Sequence, residues 1–245
     1  MSTFVQVMVG DYAGDSTARV LAIVQGTAPA FPSYSTVNVN DNAWHHMVVT
    51  LDNVAGAFAY LDGVEMLDIG MPDPFPDINQ TITNQYFGAR NTNILEVVSP
   101  ACLADELAIY DRALTSGEVA DHYAARVSGY AAAVIADAPL MYFRLNESSG
   151  TVAVDAMGNS SGTYVDMAGL ANGSVPIDTG TSVALAENTS YIRFPAVDFR
   201  SLVNLTMEFW FKLSGLPSGS QGMMWLEGPS FADEWGEQVG VIPTS

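Results

Sequence analysis

The sequence predicts an all-β protein, an antiparallel jelly-roll sandwich with one short helix. In the stretch LTMEFWFKL at 205–213, apolar residues occupy every second position, which is the pattern of a strand with one buried face. Comparable short stretches recur along the chain, and Gly, Pro, Asn and Asp fill the gaps between them, as antiparallel turns require. Many short strands with short polar connections favour a sandwich or a jelly roll.

The elements follow from these local patterns. The helix is predicted in ALTSGEVADHYAAR, where Thr115 or Ser116 is the N-cap and Glu118 follows in the first turn. A second helical stretch, SGYAAAVIAD, is small and apolar, and any helix there must end before Pro139, which disfavours a helical residue before it. Residues 127–138 are the candidate linker. The predicted strands lie at 4–9, 18–25, 35–40, 45–51, 56–62, 106–111, 138–145, 190–195, 205–213 and 222–228.

The composition describes an ordered, acidic protein. Of 245 residues, 49% are hydrophobic and 14% are charged, which is enough apolar material for a full core. The net charge of -19 makes nucleic acid and anionic membranes unfavourable partners. One cysteine, Cys102, excludes an internal disulfide framework and is expected to be a small buried residue. No secretory signal and no stretch of roughly 20 apolar residues is visible, so membrane insertion is not expected.

Two adjacent histidines, His45 and His46, raise the question of a metal or acid-base site. Consecutive residues of a regular strand point to opposite faces, so both cannot ligate one ion. The remaining histidine, His122, lies in the predicted helix and is expected to be distant from them. A zinc site is therefore disfavoured, and the histidines are interpreted as part of the wall of the sandwich.

The carboxylates do not form the pattern of a glycoside hydrolase. Such an enzyme needs two carboxylates roughly 5–9 Å apart, and alternate positions of one strand supply them most simply. Asp105 and Glu106 are consecutive, and Glu208 is followed two residues later by Trp210. The chain also lacks a G-x-S-x-G elbow and a phosphate-binding glycine loop. We therefore predict a protein that is not an enzyme.

Four stretches resemble the laminin G-like, concanavalin A-like jelly-roll family. They are AWHHMVVTLDNVAGAFAYLDGVEM at 43–66, LADELAIYDRALTSGEVADHY at 103–123, APLMYFRLNESSGTVAVDAMGNSSGTY at 138–164, and the strand at 205–213. The second is similar to the family's closing strand and short terminal helix, and the third to its opening strand and following loop. The resemblance implies a concanavalin A-like sandwich.

The order of these stretches differs from the family's order. Residues 1–126 resemble the closing half of the sandwich and residues 139–228 the opening half, with 127–138 as linker and 229–245 as an extended C-terminal arm. The halves could close on each other as one permuted domain, belong to two neighbours of a tandem array, or each be completed by another subunit. Closure within the chain is favoured, because unfinished sheets leave adhesive edges, and completion by a neighbouring subunit is the second choice.

The resemblance also implies that a calcium ion can bind near the loops. Asp155 and Asn159 in the loop DAMGN are the candidate ligands, together with Asp105 if the two halves meet. The alternative is that Asp155 and Asn159 stabilise a turn through bonds from side chain to backbone.

Two function classes remain open. One is a structural or adhesion component of a multisubunit assembly, such as a tail or capsid-surface protein on a bacteriophage virion, whose partners are other subunits, as in a homo-oligomer. The other is an extracellular carbohydrate-binding lectin module of a bacterial surface protein, with cell-surface glycans as ligands. For the second, Trp225 and Trp235 are the candidate residues to stack on sugar rings, although such residues also form cores and subunit interfaces. Both classes rest on analogy of fold.

Overall fold

Strands dominate the computed structural model, which describes residues 4–11, 14–25, 31–66, 81–82, 84–92, 94–97, 99–172, 180–195, 197–198 and 204–227. The strands are Phe4–Gly10 (β1), Arg19–Gln25 (β2), Phe31–Tyr34 (β3), His45–Asp52 (β4), Gly56–Leu61 (β5), Val64–Glu65 (β6), Thr81–Ile82 (β7), Asn84–Phe87 (β8), Ala89–Thr92 (β9), Ile94–Val97 (β10), Cys102–Tyr110 (β11), Met141–Phe143 (β12), Val152–Ala153 (β13), Gly162–Val165 (β14), Gly169–Asn172 (β15), Ser182–Leu185 (β16), Tyr191–Phe194 (β17), Val197–Asp198 (β18), Leu205–Leu213 (β19) and Gln221–Glu227 (β20).

Two large antiparallel sheets form a sandwich. The first sheet has the strand order β13-β14-β17-β8-β20-β1-β2-β3. The second sheet has the order β15-β16-β11-β19-β4-β5-β6, and β12 also pairs with β11. Two small ladders, β9 with β10 and β7 with β18, lie outside these sheets. The predicted all-β sandwich is confirmed.

The main core lies between the two sheets. Alternate residues of β1 (Val5 and Val7) and of β19 (Met207 and Phe209) are buried in one apolar cluster. Across the sandwich the rings of Phe87 and Phe209 meet edge to face, with their centroids 5.1 Å apart. The alternation in the sequence therefore reports the inward face of each strand, as expected for a half-buried sheet.

Both large sheets contain strands from the two ends of the chain. In the first sheet β20 lies between β8 and β1, and in the second β19 lies between β11 and β4. The long β19 pairs with β11 from Cys102 to Tyr110 and with β4 from His45 to Leu51. Strand pairing thus joins residues 4–110 to residues 141–227, while the permuted order of the halves stays a prediction.

A second apolar cluster covers the outer face of the second sheet. Two α-helices in the described chain, Ser116–Ala124 (α1) and Tyr130–Ala136 (α2), are joined by the 3-10 turn Ala125–Val127 and lie on this face. The buried members of the cluster are Val48, Tyr60, Ala108, Tyr110, Leu114, Val119, Tyr130, Val134, Tyr142 and Trp210. This sheet is therefore covered on both faces where the helices lie.

The first helix begins as its sequence predicts. Thr115 is the N-cap, its hydroxyl accepts from the backbone N–H of Glu118 at 3.2 Å, and the Glu118 carboxylate accepts from the N–H of Thr115 at 2.7 Å. This reciprocal pair is a capping box, which satisfies two N–H groups that the helix leaves unpaired. The helix is shorter than predicted, because the 3-10 turn replaces its last residues.

Three local predictions are wrong. Residues 127–138 are not a linker but contain α2, because Tyr130 and Val134 give that segment a buried face against the second sheet. The protein therefore has more than the one short helix predicted. The stretch 35–40 follows β3 without being a strand, and the strand predicted at 138–145 is limited to Met141–Phe143. Hydrophobic periodicity and turn residues do not predict these features, because the features depend on tertiary packing.

Gly88 occupies a position that permits no side chain. Its φ is +87°, and a Cβ there would lie 2.8 Å from the carbonyl oxygen of Ser190 and 2.9 Å from Leu185 Cδ2. We expect Gly88→Ala to reduce the free energy of unfolding by about 2–5 kcal/mol, since left-handed backbone costs about 1–2 kcal/mol and overpacking about 1–3. Urea denaturation measures this loss in the free energy of unfolding. Gly56→Ala is the control, because Gly56 has φ +97° with open space around it. Equal losses in the two variants would contradict the packing argument.

Candidate functional site

A buried carboxylate lies at the centre of the outer face of the second sheet. Glu208 on β19 has no exposed surface, and three side chains surround its two oxygens. Tyr110 donates its hydroxyl to Oε1 at 2.5 Å, and His46 Nε2 lies 3.2 Å from Oε2. His122 Nδ1 lies 3.2 Å from Oε1 and 3.1 Å from Oε2. We call Glu208, His46, His122 and Tyr110 the buried polar cluster.

Neighbouring strands and one helix assemble this cluster. β4 and β19 pair so that His46 is opposite Trp210, and their rings stack with centroids 4.7 Å apart and an interplanar angle of 22°. Tyr123 of α1 stacks on Trp210 in turn, at 5.9 Å between centroids. Arg126 covers the other side of Tyr123, with its Cζ 3.9 Å from the ring centroid. These stacked rings close the outer face above the polar groups.

The cluster continues to the surface through ion pairs. His122 Nε2 lies 2.9 Å from Oδ2 of Asp137, the C-cap residue of α2. Arg112 then binds Asp137 through Nη2 at 2.8 Å and Glu118 through Nη1 at 2.9 Å. Residues from β11, α1 and the end of α2 are therefore linked to one buried carboxylate.

The electrostatics favour an ionised Glu208. Burial alone would raise the pKa of Glu208, but the hydrogen bonds and charges of His122 and His46 outweigh it and lower the pKa to about 2. Burial alone would lower the pKa of His122, but Glu208 and Asp137 outweigh it and raise the pKa above its ordinary value. Ionised Glu208 and protonated His122 form a buried ion pair, to which His46 and Tyr110 add contacts. Among the described residues, His46 Nδ1 and Trp210 Nε1 have no hydrogen-bond partner.

The two adjacent histidines have different partners. His45 Nδ1 lies 2.8 Å from Asp62 Oδ2 and its Nε2 lies 3.1 Å from Asp41 Oδ1, so His45 ties two loops together. His46 contacts Glu208, as described above, and the backbone N–H of His46 donates to Asp62 Oδ1 at 2.9 Å. Both rings are buried. The prediction that His122 lies far from them is wrong, because α1 folds back over the sheet and brings His122 to the same carboxylate as His46.

The predicted pair Asp105 and Glu106 lies in a bulge of β11. Glu106 has φ +53°, and the pairing of β11 with β19 shifts register between Asp105 and Ala108. Both side chains are only 2% exposed. Tyr142 donates its hydroxyl to Glu106 Oε2, and Arg144 Nη2 lies 3.2 Å from Oε1. The regular strand assumed from the sequence is therefore wrong at this point, and Glu106 is held in a structural ion pair.

The loop proposed to bind calcium is organised by Asp155. Its Oδ1 accepts from the backbone N–H groups of Tyr142 and Met157 at 2.9 and 3.0 Å. Its Oδ2 accepts from those of Asn159 and Ser160 at 2.9 and 3.2 Å. Four donors use the carboxylate's lone pairs, so Asp155 does not fit a calcium ion without losing these bonds.

The other proposed ligands lie near but have their own partners. Asn159 donates from Nδ2 to the carbonyl oxygen of Leu140 at 2.8 Å, and Asp105 Oδ1 accepts from the N–H of Glu106 at 3.0 Å. Among the described residues, no group of three or more His, Cys, Asp or Glu side chains is arranged to hold a metal ion. Calcium binding at Asp155, Asn159 and Asp105 stays a prediction.

The proposed sugar-stacking residues lie at the limit of the described structure. Trp225 occupies a strand position on β20 between Gln6 of β1 and Tyr86 of β8, while its side chain lies outside the description. Trp235 and the predicted arm at 229–245 lie outside the described residues. The sugar-binding role of these two residues stays a prediction.

The buried polar cluster itself was missed by sequence reasoning. Its signal was a carboxylate between two apolar positions, in the run Met207-Glu208-Phe209, on a strand whose second face also carries Trp210. A charge on such a strand requires a partner on the covered face, and the lone helix histidine was the available one. The partner could not be named until the helix had a position.

Two antiparallel sheets packed face to face, one of them covered on its outer face by α1 and α2, define a jelly-roll sandwich. Residues 8–120, from β1 to α1, match the model of the concanavalin A-like lectin/glucanases superfamily in its laminin G-like form. The sequence resemblance is therefore confirmed over these residues. No curated protein matches the chain closely enough to add to this. No helix in the described residues is long and apolar enough to cross a membrane.

Removal of the central carboxylate tests the role of the buried polar cluster. We expect Glu208→Ala to lower the free energy of unfolding by about 3–5 kcal/mol, because His46 and His122 would remain buried without their partner. Urea denaturation near pH 6 is the measurement. Glu65→Ala is the matched control, since Glu65 is exposed on β6 and its loss should change stability by less than about 0.5 kcal/mol. Similar losses in the two variants would argue against a buried ion pair at Glu208.

The loop at Asp155 gives a second test. We expect Asp155→Asn to lower the free energy of unfolding by about 1–3 kcal/mol, because an amide cannot accept four backbone hydrogen bonds. The melting temperature of the unmodified protein should be the same in a chelator and in millimolar calcium. A rise of several degrees in calcium that is absent in Asp155→Asn would instead establish the predicted calcium site.

Proposed function

We propose that the protein is a non-enzymatic structural or adhesion component of a multisubunit assembly, of the kind formed by tail or capsid-surface proteins of a bacteriophage virion. The observation that carries the proposal is the cover on the second sheet. The helices α1 and α2 pack on its outer face, where Trp210 is 2% exposed and Glu208 has no exposed surface. A polymer chain would find no open groove on this part of the sheet.

The chemistry of the carboxylates supports a role without catalysis. A glycoside hydrolase holds two carboxylates on either side of a sugar, roughly 5–9 Å apart and in contact with water or substrate. The buried carboxylates among the described residues are Asp105, Glu106, Asp155 and Glu208, and each has at most 4% of its surface exposed. Each one also accepts a hydrogen bond from another group of the protein. A general acid also benefits from a pKa raised towards neutrality, whereas the pKa of Glu208 is lowered to about 2.

Three of the four edges of the two sheets favour assembly of finished modules, while the fourth, β15, is a four-residue strand with no buried residue. The edge strands β13 and β6 have two residues each, and the edge strand β3 contains Pro32, which has no N–H to donate. Short edges and proline hinder the addition of a strand from another chain. Because both sheets already combine strands from both ends of the chain, neighbouring subunits would contact loops or faces.

The charge limits which partners such an assembly can meet. A net charge of -19 repels nucleic acid and other polyanions. A neutral glycan, a neutral protein surface or a basic protein surface is compatible with it. This agrees with a role at the outside of a particle or cell, among other subunits or neutral surface sugars.

One observation favours the alternative, a carbohydrate-binding lectin module. In the first sheet, Gln6, Trp225, Tyr86 and Arg193 occupy one row of paired strand positions on β1, β20, β8 and β17. Arg193 is exposed, and the ring of Tyr86 meets that of Tyr191 edge to face at 5.9 Å between centroids. Tyr and Trp combine an apolar ring with a polar tip, which suits contact with a sugar, although Gln6 and Tyr86 in this row are buried.

Oligomeric state and glycan binding separate the two functions. For the assembly component, we expect sedimentation at nanomolar concentration to give a stable multiple of the monomer mass, and a glycan array to give no saturable signal with calcium or with a chelator. For the lectin, the expected result is a monomer with saturable binding. That binding should be lost in Trp225→Ala and retained in Trp44→Ala, a half-buried tryptophan beside the outer cluster of the second sheet.

Two results would overturn the proposal. A dilute monomer with saturable, Trp225-dependent glycan binding would replace it with the lectin function. Turnover of soluble β-glucans that disappears in Glu208→Gln would show that the covered carboxylate is catalytic and that the protein is an enzyme.

A further inference from the structure

His122 holds a carboxylate at each of its two ring nitrogens. Nδ1 lies 3.1 Å from Glu208 Oε2, and Nε2 lies 2.9 Å from Asp137 Oδ2. A neutral imidazole carries one N–H, so one of its nitrogens would direct a lone pair at carboxylate oxygen. Only the imidazolium donates to both. Both contacts can be hydrogen bonds donated by His122 only when the ring carries a proton on each nitrogen.

The surroundings of His122 come from three strands and two helices. Asp137, Arg112 and Glu118 are partly exposed, whereas the groups on the sheet and Tyr130 of α2 are buried. The groups next to the His122 ring are Glu208 of β19, Tyr110 of β11, Tyr130 of α2 and Asp137 at the C-cap of α2. Three further groups act through these: His46 of β4 contacts Glu208, Arg112 contacts Asp137, and Glu118 of α1 contacts Arg112. Arg112 is the positive group that keeps contact with Asp137 when His122 is neutral.

The two carboxylates differ in their access to water. The side chain of Glu208 is 0% exposed, while that of Asp137 is 27% exposed. A buried carboxylate that loses a donor cannot be hydrated, whereas Asp137 can replace the lost bond with water. Neutral His122 would therefore keep its N–H on Glu208, and the bond to Asp137 would be the one lost.

We propose that His122 is a proton-dependent clamp that fixes the C-terminal end of α2 to the second sheet, and that its deprotonation frees Asp137 and loosens that end. The other end of the helix stays in place, because the Tyr130 ring packs edge to face on Trp210 and Val134 is buried in the same apolar cluster. The change is therefore local. It is independent of the function proposed above.

The direction of the pH effect follows from the shifted groups. The pKa of His122 is raised above its ordinary value of 6.5, so the clamp contributes fully below about pH 6.5 and is lost as pH rises through the raised pKa. The pKa of Glu208 is lowered to about 2 from 4.5, so its contribution is present above about pH 4.5 and is lost as pH falls towards 2. The clamp is strongest between these limits.

Hydrogen exchange on the full chain tests the clamp. After correction for intrinsic exchange, the protection of the last turn of α2, relative to that of β19, should fall between pH 6 and pH 9.5 at constant ionic strength. The fall is about tenfold for each unit by which the pKa of His122 in the clamped state exceeds that in the loosened state. His122→Gln should show weak protection at both pH values and no such fall.

The control uses the second histidine with two carboxylates. His45 bridges Asp41 and Asp62 in loops away from α2, so His45→Gln should leave the pH dependence of α2 unchanged. In Asp137→Asn, the titration of His122 should move to lower pH because one negative partner is gone. An α2 whose protection falls equally in His122→Gln and in the unmodified protein would overturn the proposal.

A spectroscopic measurement on the unmodified protein covers the case in which His122→Gln does not fold. The chain has three histidines, so their ring ¹⁵N resonances can be separated and followed with pH. We expect both nitrogens of His122 to be protonated at pH 6 and to titrate above the ordinary value. A neutral ring with a single N–H at pH 6 would overturn the proposal without any variant.

Discussion

The burial of the second sheet on both faces is the constraint on which the rest of the structure depends. Its inner face packs against the first sheet, and its outer face is covered by α1 and α2. Ionised Glu208 in such a place costs several kcal/mol unless it is paired and fully hydrogen-bonded. Tyr110, His46 and His122 supply that pairing from three separate elements. The position of α1 on the sheet is therefore fixed by polar contacts as well as by apolar ones.

The same constraint decides what the sheet can do. A strand face that carries a carboxylate between aromatic rings would suit sugar chemistry if it were open. Here Tyr123 and Arg126 lie over Trp210, and His122 lies over Glu208. Within the described residues, these polar groups attach the helices to the sheet.

The sequence was informative where structure is local. Alternation in β19, the turn residues and the capping box at Thr115 predicted their elements, because each depends on neighbours in the chain. Prediction from the sequence failed where contacts between residues far apart in the chain determine the local structure. The alanine-rich segment of α2 favours a helix locally, but only the packing of Tyr130 and Val134 on the sheet shows that it is part of the structure and not a linker. The bulge at Asp105 and Glu106 likewise has no signature in the residues alone.

The sequence by itself determined the fold class, the match of residues 8–120 to a superfamily model and the strongly acidic composition. These depend on periodicity, motif order and composition, which are properties of the chain. Tertiary structure alone decided that His122 and His46 share Glu208, that Asp155 is used by backbone N–H groups, and that the outer face is closed. Those outcomes depend on side chains up to 162 positions apart in the chain, and only folding brings such groups within hydrogen-bonding distance.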